Sequence, residues 1–63
     1  MDIEDTILAY LTLLGKPIRL PTAQWLFSDL LGLLDCTVRV HIGNLKTSGK
    51  IRMDNGGWIE VVQ

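Results

Sequence analysis

The sequence predicts a small α+β domain in which three helices are followed by a β-hairpin. Three segments repeat apolar residues at the three- and four-residue spacing of an amphipathic helix, and glycines or prolines separate them. Two short segments near the C-terminus alternate apolar and polar residues around a glycine-rich turn. A chain of 63 residues has room for one such domain, so residues 1–63 are predicted to form a single unit.

The first helix is predicted from about Ile3 to Leu14. Asp2 is suited to cap its N-terminus, and Gly15 and Pro17 are suited to end it. Apolar residues extend well beyond one stripe, which is typical of a helix that is covered on more than one side. The buried stripe consists of Ile3, Ile7, Leu11 and Leu14, and the further apolar positions are Leu8, Ala9, Tyr10 and Leu13.

Residues 18–20 lie between two prolines and are predicted to be an extended segment or a minimal strand. The second helix is predicted to open at Pro21 with Thr22 as its N-cap, and to end at Gly32. Trp25 falls on its outward face, although a helical phase shifted by one residue would place Trp25 over the edge of the core. The predicted buried face consists of Ala23, Leu26, Phe27 and Leu30.

The third helix is predicted from about Asp35 to Ser48, with Gly49 as its C-terminal stop. Its buried seam consists of Val38, Ile42 and Leu45, which recur at helical spacing. His41 lies beside this seam and is expected to be a partly buried, hydrogen-bonded residue.

Two strands are predicted at Lys50–Asp54 and Trp58–Val62, joined by the turn Asn55-Gly56-Gly57. A two-residue Asn55-Gly56 loop would place a carboxylate on the apolar face of the hairpin. A three-residue loop separates apolar from charged residues, so we predict that register and place Trp58 on the outer face. It pairs Met53 with Ile59, Arg52 with Glu60 and Ile51 with Val61.

The composition excludes several classes of protein. With one Cys and one His the chain cannot form an internal disulfide, and it is poorly suited to a zinc site of the usual Cys/His type. It has neither an apolar run long enough to cross a bilayer nor a secretion signal, and a lone Cys fits a reducing compartment, so we expect a cytoplasmic protein. We find no nucleophile beside a base and no phosphate-binding loop, and therefore expect no enzyme, no metal and no cofactor.

A run of residues from the end of the second helix to the start of the hairpin forms a recognisable pattern. It consists of Gly32-Leu33, Thr37-Val38, His41-Ile42, Leu45, Gly49 and Ile51. This pattern resembles the winged helix-turn-helix domains of bacterial, archaeal and phage transcription regulators. The resemblance implies that the third helix enters the major groove of DNA and that the hairpin, or wing, contacts the backbone. It implies a transcription regulator or an accessory of DNA processing.

The candidate DNA-binding residues lie on the outer side of the third helix and on the first strand of the hairpin. The net charge of −1 is low for a DNA-binding protein, but basic residues concentrate between positions 39 and 52. Lys16 and Arg19 are further candidates from the first loop. The predicted site is Thr37, Arg39, Val40, Asn44, Lys46, Thr47, Lys50 and Arg52.

Two other expectations concern protein contacts. Apolar residues make up 48% of the chain, more than a small domain can bury, so some apolar surface is expected to meet a partner. We expect a homodimer, as the resemblance also implies, with Ala9, Leu13, Trp25 and Trp58 at interfaces. The alternative function is an interaction module that binds protein rather than DNA, which Val40, Gly43 and an outward Trp25 would favour.

Overall fold

Three helices and a three-stranded antiparallel sheet make up residues 2–62, which the computed structural model describes. This confirms a small α+β fold with a C-terminal hairpin. The sheet order is β1-β3-β2, so the short segment between the first two helices joins the hairpin as an edge strand. The elements are α1 (Ile3–Leu14), β1 (Ile18–Arg19), α2 (Leu20–Leu31), α3 (Asp35–Thr47), β2 (Ile51–Met53) and β3 (Trp58–Val61).

The core is centred on α3, which packs against α1, α2 and β2. The predicted seam of Val38, Ile42 and Leu45 is fully buried. Tyr10 of α1 reaches across to Phe27 of α2 in an edge-to-face contact with ring centroids 5.4 Å apart. The remaining buried side chains are Ile7, Leu11, Ala23, Ile51 and Ile59.

The hairpin adopts the predicted three-residue register. Gly57 takes a left-handed conformation with φ of 81°, which a side chain would disfavour, and its N–H donates to the Asp54 carbonyl. The Asp54 carboxylate accepts the N–H groups of Gly56 and Trp58 and so fixes the turn. The partners are Ile51 with Val61, Arg52 with Glu60 and Met53 with Ile59, as predicted.

The predicted N-cap position of α1 is confirmed, whereas that of α2 is wrong. Asp2 is the N-cap of α1, but its side chain makes no capping hydrogen bond; its carbonyl accepts from the N–H and hydroxyl of Thr6. The second helix begins at Leu20, so the N-cap assignment of Thr22 is wrong. The Leu20 N–H donates to the Gly57 carbonyl at 2.8 Å, and this contact with the hairpin satisfies a donor that the helix itself leaves open.

Smaller differences occur at the ends of other elements. Leu30 was expected on the buried face of α2, but it is 54% exposed because Leu31 and Leu33 fill the core there instead. The third helix ends at Thr47, and Ser48 serves as its C-cap. The strands are shorter than predicted and comprise Ile51–Met53 and Trp58–Val61.

Replacing Leu45 with Ala should lower the free energy of unfolding by about 2–5 kcal/mol, because it leaves a cavity where α3 meets the other elements. Urea denaturation followed by circular dichroism measures this loss. The control is Leu13→Ala, which removes an 87% exposed leucine and should change stability by less than about 0.5 kcal/mol. Equal effects of the two substitutions would contradict the assigned core.

Candidate nucleic-acid interface

Three rows on the outward side of α3 carry predicted site residues, and each is defined by two residues seven positions apart. Seven residues make almost two helical turns, so the members of a pair lie on the same side of the helix. The middle row lies on the side of the helix opposite the buried seam, and the other two rows lie to its left and right. We call them the basic flank (Arg39 and Lys46), the middle row (Val40 and Thr47) and the polar flank (Thr37 and Asn44).

The basic flank presents two exposed cations. Arg39 lies in the first half of α3, and Lys46 lies in its last turn, where the helix dipole favours a positive charge. Neither of these two side chains belongs to an ion pair formed among residues 2–62. Both charges therefore remain available to an anionic partner.

The middle row is uncharged, and its side chains are short. Val40 is 61% exposed, and Thr47 is also exposed at the end of the helix. Gly43 lies between this row and the basic flank, and a Cβ placed on it would meet no atom within 4 Å. Another molecule can therefore approach the backbone of α3 closely at Gly43.

The polar flank is tied to the first turn of α1. Glu4 accepts hydrogen bonds at 2.9 Å from the Asn44 side-chain amide and at 2.9 Å from Nδ1 of His41. This confirms His41 as a partly buried, hydrogen-bonded residue. A carboxylate only accepts hydrogen bonds, so Asn44 turns its NH2 group towards Glu4 and its oxygen stays free.

Sequence reasoning missed Glu4 at this site. It lies 37 positions from His41 and 40 from Asn44, and only packing of α1 against α3 brings the three together. The available indication in the sequence was that Glu4, a charged residue, lies beside the apolar stripe of α1. A site predicted from α3 alone therefore omits a carboxylate beside it.

The pKa of Glu4 is held below its usual value of 4.5. The largest cause is the hydrogen bond from His41, followed by the bond from Asn44; partial burial acts in the opposite direction. The positive charge of Lys50 also lowers this pKa. Lys50 follows the C-terminal end of α3 and lies within electrostatic range of Glu4.

Arg52 occupies the outer face of the sheet, away from the helices. It forms the predicted cross-strand ion pair with Glu60. The two side chains are 68% and 44% exposed, and exposed ion pairs of this kind contribute little to stability. An incoming phosphate could therefore compete with Glu60 for Arg52.

Trp58 is 45% exposed and packs beneath Arg19, whose guanidinium carbon lies 5.9 Å from the ring centroid. Arg19 and Trp58 are partners in the β1–β3 register, which explains the contact. The position of β1 in the sheet could not be inferred from the hairpin alone.

The predicted interface residues lie on three different elements. Ala9 and Leu13 are exposed on α1, Trp25 is 67% exposed on α2, and Trp58 belongs to β3. The alternative that placed Trp25 over the core edge is therefore wrong. Their role in protein contacts remains a prediction.

The described part of the chain offers few other sites. Among residues 2–62, no three His, Cys, Asp or Glu side chains are placed to hold a metal ion. Two open grooves of about 200 and 290 Å³ border the sheet, and both are smaller than the roughly 300–1,000 Å³ of typical ligand pockets. No helix within these residues is long and apolar enough to cross a bilayer.

Comparison of the chain with protein-family models, characterised proteins and solved structures gives no match. Of the predicted DNA-binding set, the structure groups six residues on α3. Lys50 follows the end of this helix, and Arg52 lies apart on the outer sheet face.

Replacing Asn44 with Ala should raise the pKa of Glu4 towards 4.5, because one of the two hydrogen bonds to the ionised form is lost. An NMR titration of the Glu4 side-chain carboxyl carbon measures this change. In the intact protein the lowered pKa makes ionised Glu4 stabilising above about pH 4.5, and this contribution is lost as pH falls through the folded-state pKa.

The stability difference between the wild type and Glu4→Gln should accordingly shrink as the pH is lowered. An unchanged Glu4 titration in Asn44→Ala, with the fold intact, would show that the amide does not hold the carboxylate.

Proposed function

We propose that this chain is a winged-helix protein that binds duplex DNA, with α3 in the major groove. The element order α1-β1-α2-α3-β2-β3 and the sheet order β1-β3-β2 suit this architecture. The turn between α2 and α3 has three residues and begins with Gly32, as in many helix-turn-helix motifs. The proposed role is that of a cytoplasmic transcription regulator or DNA-processing accessory, a binding role rather than a catalytic one.

The observation that carries this proposal is the distribution of cations around α3. Arg39 and Lys46 lie on one side of the helix, beside the uncharged middle row, and Lys50 follows just beyond the helix C-terminus. The major groove is about 12 Å wide, admits one helix and is bordered on both sides by phosphates. Cations along one flank and just beyond the end of a neutral helix surface can meet these phosphates, and neutralisation of phosphates supplies most of non-specific DNA affinity.

The hairpin offers a second contact. Arg52 lies on the exposed face of the hairpin. Among residues 2–62 its one ionic partner is Glu60, which is also exposed. In the proposed complex Arg52 exchanges Glu60 for a backbone phosphate. The neighbouring carboxylate reduces the gain, so α3 is expected to carry more of the affinity than the wing.

Replacing Arg39 with Gln should weaken binding to duplexes of every sequence and lower the slope of log K against log salt by about 1, because one phosphate contact is lost. Fluorescence anisotropy with a labelled random duplex, at several salt concentrations, measures both quantities. Arg39→Lys is the matched control, since it keeps the charge and should keep the slope.

An unchanged slope in Arg39→Gln would remove Arg39 from the interface. Failure of the folded wild-type protein to bind any duplex at low salt would contradict DNA binding altogether.

The second candidate function is a winged-helix module that binds a protein. The exposed Val40 in the middle row and the 67% exposed Trp25 favour it, because Trp is enriched at protein interfaces and neither residue contacts phosphate well. Absence of DNA binding by the folded protein would leave this candidate.

We also propose that the protein acts as a homodimer. Two copies would present two basic flanks, which offsets the low charge of one copy. The exposed face of α1 is the candidate contact, because it carries the most exposed large apolar side chain described in residues 2–62, Leu13.

A further inference from the structure

The exposed face of α1 has a self-complementary order of side chains. Asp2 and Asp5 lie at its N-terminal end, Ala9 at its midpoint and Leu13 near its C-terminal end, and Lys16 follows just beyond the helix. All five residues are exposed. The face therefore runs from acidic to small, to apolar and to basic along its length.

The middle of this face is suited to helix packing. Leu13 is 87% exposed, and Ala9 would allow the backbone of a second helix to approach closely. The Thr6 hydroxyl donates to the Asp2 carbonyl, so the methyl group of Thr6 can meet an apolar neighbour without leaving a donor unsatisfied.

The ends of the face carry opposite charges. Within residues 2–62, no ion pair includes Asp2, Asp5 or Lys16. The Asp2 side chain also makes no capping hydrogen bond. Asp2 and Lys16 are each seven positions from Ala9. A second copy rotated about a two-fold axis at Ala9 would therefore place its Lys16 opposite Asp2, with Asp5 within reach.

We propose that two copies of this chain associate through α1 in an antiparallel, two-fold arrangement centred on Ala9. Leu13 of each copy packs against Thr6 of the other, and Lys16 of each copy meets the acidic end of the other. A parallel arrangement would place acidic end against acidic end and is disfavoured. This inference rests on the proposed homodimer and gives its contact; it does not depend on DNA binding.

The contact is short. A helix of 12 residues is about 18 Å long, so the buried area falls at the lower end of specific interfaces. Association is therefore expected at high protein concentration. Sedimentation equilibrium without DNA, at protein concentrations from about 10 µM to about 1 mM, measures the dissociation constant of a weak dimer.

The first variant is Leu13→Glu, which should weaken dimerisation at least about tenfold because it places a charge in the apolar centre of the contact. Leu13 lies outside the core, so the helical content should not change. The matched control is Leu34→Glu, which alters a 72% exposed leucine in the α2–α3 turn and should leave the dimer intact.

A charge exchange tests the antiparallel register. Asp2→Lys and Lys16→Asp should each weaken self-association about three- to tenfold, because each brings like charges together at both ends. A mixture of the two variants should form heterodimers with an affinity near that of the wild type, since opposite charges then meet at both ends. Circular dichroism of each variant checks that α1 remains helical.

A wild-type protein that stays monomeric up to about 1 mM overturns the proposal. A dimer that resists Leu13→Glu, or single charge variants that do not recover on mixing, overturns the assigned contact. Since no DNA is present in these measurements, their failure is separate from a failure of DNA binding.

Discussion

The buried seam of α3 is the contact on which the remaining structure depends. Val38, Ile42 and Leu45 are almost completely inaccessible and hold α3 against both other helices and β2. Once this seam is buried, helical geometry determines which residues of α3 face outward. The outward positions of the basic flank and the middle row are therefore consequences of core packing.

The sheet supplies a second constraint that links the hairpin to the helices. Pairing of β1 with β3 places Arg19 over Trp58, and the Leu20 N–H donates to the carbonyl of Gly57 in the turn. The start of α2 is thereby joined to the tip of the hairpin. A movement of the hairpin would therefore disturb the beginning of α2.

Local rules predicted the parts of the fold that local chemistry determines. The helix spans followed from apolar spacing and from Gly15 and Gly32, and the hairpin register followed from the separation of charged and apolar residues. The start of α2 and the contacts of Trp58 and Asn44 could not be predicted, because their partners are distant in sequence. Glu4 shows the same limit at the candidate site, since only the α1–α3 packing brings it beside His41.

The most direct test of DNA recognition by α3 is a map of the bound surface. Amide chemical shifts can be followed by two-dimensional NMR while a random 12-base-pair duplex is added at low salt. We expect the largest changes at exposed positions of α3, including Arg39, Gly43 and Lys46, with smaller changes at Arg52 in the hairpin. Changes confined to α1 or to the surroundings of Trp25, or no changes at all, would contradict the account.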